Sequence, residues 1–136
     1  MADLTITPAS VQRTATTQTR VTTPATGVTV APGDAVYLDE SDSEKAKLAD
    51  ANAGAANARA YIALNAATAG QPLEVATGGR IKLGTGTRGL PYVASATPGK
   101  IAPASDLTTG WYTCLLGFSV DGDLFEVFRK PLEVAV

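Results

Sequence analysis

The sequence predicts an all-β domain, a small β-barrel or jelly-roll-like sandwich carrying an extended N-terminal arm. Three observations lead there. Between Gly27 and Leu107, short apolar runs alternate with Gly, Pro or Asn and small neighbours, which is strand-and-turn punctuation. Near the C-terminus, Asp121-Gly122 separates two apolar runs, a strong hairpin signal. No stretch shows the sustained 3.6-residue apolar stripe of a long helix.

Residues 1–26 read as a separate zone. Leu4-Thr5-Ile6-Thr7-Pro8 begins as an alternating strand, and Thr14, Thr16, Thr17, Thr19, Thr22 and Thr23 follow before Pro24. Such a segment has high β propensity but little apolar surface of its own. It is expected to be an extended arm held by a partner, spanning about 85 Å if fully extended. Leu4, Ile6, Val11 and Val21 are its candidate partner-binding residues, adding to a sheet edge on another chain.

From Gly27 the second zone, 27–136, is read as the β domain. Val28–Val30 and Ala35–Leu38 are expected strands around Ala31-Pro32-Gly33-Asp34, where Pro before Gly fits a type II turn. Asp39–Glu44 is an acidic loop, expected to be solvated with a small capping element, and Lys45–Ala49 follows it. Asp50–Arg59 supports at most a short helical turn, because Asp, Asn and Gly interrupt it and no apolar stripe runs through it. Tyr61–Leu64 is the next strand. Leu73 and Val75 alternate with polar neighbours, as do Ile81 and Leu83, so a hairpin with a Thr77-Gly78-Gly79 loop would put all four on one face.

For the last hairpin, a two-residue Asp121-Gly122 loop sets Phe118 opposite Phe125 and Leu116 opposite Val127. Tyr112, Cys114 and Val120 share that face, which should be the core side. Leu115, Leu124 and Phe128 fall on the other face. That face is unusually apolar for one meeting water, so these three are the candidate self-association residues.

Composition narrows the function. The chain has 136 residues, a net charge of −2, no His and one Cys. This length is enough for one domain that buries roughly two-thirds of its unfolded surface. Without His, the usual general base and the commonest metal ligand are both missing. Lone Cys114 cannot form an internal disulfide and reads as a small buried hydrophobe. Clustered Lys and Arg are absent, which argues against nucleic acid and against a basic membrane patch. No signal-type segment or membrane span is visible, so synthesis in a cytosol is expected.

Motifs that carry chemistry elsewhere do not hold up. Gly84-Thr85-Gly86-Thr87-Arg88-Gly89 matches GxGxxG, but Leu90-Pro91-Tyr92-Val93 continues as a strand, where a dinucleotide site needs a helix. Asp39–Glu44 offers oxygen ligands without EF-hand spacing. Glu74, Asp106 and Glu126 give no spacing that selects a catalytic pair. Trp111 is read as a core or interface anchor before a sugar platform. The expectation is a non-enzymatic protein with no catalytic residues, no cofactor and no metal.

Several phrases resemble a known family. Ala31-Pro32-Gly33-Asp34-Ala35-Val36-Tyr37-Leu38, Ile62-Ala63-Leu64-Asn65 with Gly70-Gln71-Pro72, and Pro91-Tyr92-Val93-Ala94 with Pro98-Gly99-Lys100-Ile101-Ala102-Pro103 are similar, in content and order, to capsid decoration (cement) proteins of tailed bacteriophages. The likeness spans about Gly27 to Trp111. It implies a β domain on the outside of a phage head, bridging major capsid protein subunits and stabilising the shell, with no catalytic residues to carry over. Its partners would be the major capsid protein and a second copy of itself, a dimer favoured over a trimer. The alternatives are another virion module, of tail or fibre base, or a β-rich carbohydrate-binding module. The latter needs Trp111 or Tyr92 exposed.

Overall fold

A computed structural model describes residues 3–22, 26–54 and 56–135. Among the described residues the strands are β1 (Gln12–Arg13), β2 (Gln18–Thr22), β3 (Ala35–Asp39), β4 (Lys45–Leu48), β5 (Tyr61–Ala63), β6 (Leu73–Lys82), β7 (Pro91–Ala94), β8 (Ile101–Pro103), β9 (Tyr112–Asp121) and β10 (Leu124–Ala135). Helical structure among the described residues is limited to single 3₁₀ turns, including Ala56–Ala58 within the stretch expected to turn briefly. The strands pair in the order β4-β3-β5-β6-β10-β9-β7-β8, and β1 and β2 also pair with β6. Every ladder is antiparallel, and the sheet curls into a half-barrel. The protein is an all-β, barrel-like fold.

Small side chains make the tight curl possible. Ala35, Ala49, Ala51, Ala60, Ala76 and Ala94 are fully buried in the main core, where larger residues would hold the strands apart. Phe125 is the bulkiest fully buried side chain of that core, its ring 6.0 Å from Tyr92 at 54°. A second cluster gathers Val30, Val36, Leu73 and Val75.

The Pro32-Gly33 turn forms as expected. Asp34 N donates to Ala31 O at 3.1 Å, and Gly33 takes φ 91°. The preceding segment is not a strand, however. Only isolated bridges occur there, Thr26 to Ala46 and Val30 to Ala67. Val30 is instead inserted into the second core cluster, which fixes this stretch without a ladder.

Strand β6 corrects the first predicted hairpin. Leu73, Val75, Ile81 and Leu83 are all buried as expected, but the chain runs through Thr77-Gly78-Gly79 as one bent strand. Its two edges have separate partners. On one side β5 sets Ala63 opposite Val75, and β10 sets Phe125 opposite Ile81. On the other side lie β2, with Arg20 opposite Val75, and β1, with Arg13 opposite Ile81. Gly79, at φ 80°, supplies the bend, so the Gly-Gly pair redirects a strand instead of closing a loop.

The C-terminal hairpin forms in a different register. Its loop is Gly122-Asp123, with Leu124 opposite Asp121, and a bulge beside Val120 then places Phe125 opposite Ser119 and Val127 opposite Gly117. Cys114, Leu116, Phe125 and Val127 are buried as predicted. Phe118 is not: it stands opposite Glu126 and is 41% exposed, while Ser119 turns inward. Inner-face alternation switches at Leu116–Gly117, where both residues are buried.

The stretch Lys45–Leu48, to which the sequence assigned no strand, is strand β4. Ala46 is buried, and the register sets Asp39 opposite Lys45 and Tyr37 opposite Lys47. Its apolar members are only Ala46 and the half-buried Leu48, an alternation too short to stand out in the sequence.

Candidate interaction surface

Residues 3–22 are part of the β domain. Leu4 N donates to Ile101 O at 2.7 Å, and Ser95 Oγ donates to the Asp3 carboxylate at 2.8 Å. Leu4 and Ile6 pack partly buried against the main core, and Val11 belongs to it at 8% exposure. Ile6 and Val11 also lie over Gly33, where a Cβ would stand 2.6 Å from Ile6 Cγ2. The turn therefore leaves room for the N-terminal segment.

The threonines of this segment have a structural task. Between β1 and β2 the ladder to β6 is interrupted, and hydroxyls replace it. Thr14 Oγ1 donates to Arg80 O at 2.6 Å, Thr17 Oγ1 donates to the same carbonyl, and Arg80 N donates to Thr16 Oγ1 at 3.1 Å. Backbone groups of a central strand are thus satisfied where its neighbour bulges away.

Val11 is buried in its own domain, which removes it from a partner-binding role, and Leu4 and Ile6 pack partly against the same core, so that only part of each is left for a partner. Of the four candidates only Val21 is exposed, at 55%. The segment pairs with an edge of β6 in its own chain through β1 and β2.

The exposed apolar surface lies on the last hairpin. Phe128 is 59% exposed, Leu132 48% and Phe118 41%. Leu115 and Leu124 are half-buried beside them. Phe118 faces Glu126, which sits between Leu124 and Phe128 along β10 and pairs with Arg80 at 3.2 Å. All three residues predicted for self-association are therefore at least partly accessible. Phe118 and Leu132 extend the set beyond what the sequence suggested, and Gly117, interrupting the alternation, was the available signal for Phe118.

The sites weighed for chemistry have structural explanations. Cys114 is fully buried, Ala60 N donates to its Sγ at 3.4 Å, and burial pushes the thiol pKa up, away from the reactive thiolate. No helix follows Gly84–Gly89. That loop is stapled instead, Thr87 N donating to the Tyr92 hydroxyl at 3.0 Å and Gly89 N to Ser119 O at 2.7 Å. In the acidic loop, Lys47 Nζ lies 2.7 Å from Asp39 and 3.0 Å from Asp42. The hydrogen bond from Lys47, with a second from Ser41, holds Asp39 down at about 2. Its carboxylate is already engaged, and the contact is lost only as pH falls from the ordinary carboxylate range through about 2. Among the described residues no group of three His, Cys, Asp or Glu side chains could hold a metal ion. Nor is any helix there long and apolar enough to cross a membrane.

The aromatic platform needed for sugar binding is poorly provided. Tyr92 is 3% exposed, and Trp111 packs partly buried against the main core. No protein-family model matches the chain, and no curated protein or solved structure matches it.

Proposed function

We propose that this protein is a capsid decoration protein of a tailed bacteriophage, binding the outer surface of the head and bridging major capsid protein subunits. The class comes from the ordered turn phrases between Gly27 and Trp111. The observation that carries a binding role is the exposed apolar set Phe118, Phe128 and Leu132 on one hairpin. In this reading two copies meet through that face, with Leu115 and Leu124 at its floor, and the dimer occupies a two-fold position on the shell. A dimer doubles the number of shell contacts, so individually weak ones sum to firm attachment.

Purified protein should co-sediment with phage heads that lack it. Phe128→Glu should sediment as a monomer where the wild type is a dimer, and attach more weakly. Wild-type protein left in the supernatant would overturn the decoration reading, and an unchanged dimer in Phe128→Glu would overturn the assigned face.

A further inference from the structure

Three arginines from distant parts of the chain converge on one cleft. Arg20 lies on β2, Arg59 follows the 3₁₀ turn Ala56–Ala58, and Arg129 lies on β10. Together with Tyr61, and with Glu40 and Glu44 also in its lining, they enclose a cavity of about 210 Å³.

Arg129 is held in place before any ligand arrives. Its guanidinium carbon is 3.4 Å from the centroid of the Tyr61 ring, and its Nε donates to Ala60 O at 2.7 Å. Stacking and the Nε bond fix the plane of the group, and the Nη pair forms a fork whose geometry matches a carboxylate. Holding that fork in advance removes much of the ordering cost of binding.

The two glutamates set the preferred charge of the guest. Glu40 Oε1 is 3.8 Å from Arg59 Nη1, and the Glu40 side chain is 78% exposed, so this pair is loose. Glu44 stands on a backbone at φ 59°, directly after Ser43 at φ 56°. Two successive non-glycine residues in the left-handed region mark a strained tip of the kind that gathers at binding sites. Three arginines against two glutamates leave one net positive charge in the lining, which suits a singly charged carboxylate better than a doubly charged phosphate.

We propose that this cleft binds a glutamate or aspartate side chain presented by an acidic segment of a partner protein, with Arg129 as the oriented fork and Arg20 and Arg59 completing the charge. The inference rests on the decoration reading only in taking the shell subunit as that partner. Glu40 acts as a loosely held internal competitor, displaced when the partner's carboxylate enters.

The test is a titration of the intact protein with an acetylated, amidated tetraglutamate peptide, followed through the arginine Nε–H signals by NMR, with inorganic phosphate as a second probe. Saturable shifts are expected at Arg129, Arg59 and Arg20. Arg20→Gln alters an exposed side chain, so it should weaken the peptide by about tenfold, as loss of a charged hydrogen bond does, without unfolding the domain. Arg129→Lys should weaken it too, since it keeps the charge and loses the fork, and Glu40→Gln should tighten it. Shifts spread equally over Arg13, Arg80 and Arg88, unchanged affinity in Arg20→Gln, or tighter binding of phosphate than of the peptide would each overturn the proposal. Peptide binding by a protein that does not attach to heads would sink the decoration reading and leave the cleft standing.

Discussion

Removal of residues 1–22 is expected to unfold the β domain. Those residues supply Val11 to the main core and pack Leu4 and Ile6 against it. Burying an aliphatic side chain of this size stabilises by about 1.5–3 kcal/mol, so three of them, two only partly buried, contribute on the order of 5 kcal/mol. That is comparable to the whole stability of many domains. The truncation also uncovers one edge of β6 along both β1 and β2, and an exposed central edge invites aggregation. Circular dichroism should show a truncated chain that is aggregated, or that melts more than about 10 °C below the full chain, given the size of the domain. A soluble truncated protein with an unchanged melting temperature would show that the segment is a dispensable arm after all.

The second large effect is expected at Gly79. Its φ of 80° costs an L-residue about 1–2 kcal/mol on its own. Space is the greater problem: a Cβ at this position would stand 1.9 Å from Thr16 O, a backbone atom with no freedom to rotate away. Gly79→Ala must therefore push the Thr14–Thr17 bulge off β6 and break its hydroxyl contacts with Arg80. The combined loss should be on the order of 3 kcal/mol, read as a lower urea midpoint. Hydrogen exchange should locate the damage, with protection lost along Gln18–Thr22 before it is lost in β9. Equal stability of Gly79→Ala and wild type would mean that the segment does not cross β6 here.

Much of the fold was legible because turn chemistry and strand periodicity are local. The Ala31–Asp34 turn needed only Pro before Gly, and the buried set Leu73, Val75, Ile81 and Leu83 needed only alternation. What failed depended on which partner a strand finds. Gly78-Gly79 reads equally as a loop or as a bend, and the choice was made by β5, β10, β1 and β2, which fill both edges of β6. The register of the last hairpin failed at Gly122-Asp123 and the Val120 bulge. A slip of one residue there suffices to turn Phe118 outward.

The candidate surfaces were legible to a different degree. Leu115, Leu124 and Phe128 were found because too many apolar residues shared a face that should meet water. Leu4, Ile6 and Val11 were assigned to a partner because their segment looks unable to fold alone; it folds onto its own chain. The arginine cleft gave no sequence signal at all. Arg20, Arg59 and Arg129 are far apart along the chain, and only the pairing of β2 and β10 to the two edges of β6 brings them to one place.

As proposed, this β domain sits on the outside of a phage head. The most direct measurement is a difference map, by electron cryomicroscopy, between heads with and without the protein. Density of this domain's size is predicted on the outer surface at junctions between capsid subunits, with the Arg20–Arg59–Arg129 cleft turned toward the shell. Density confined to the tail, or no added density on heads incubated with saturating protein, would contradict it.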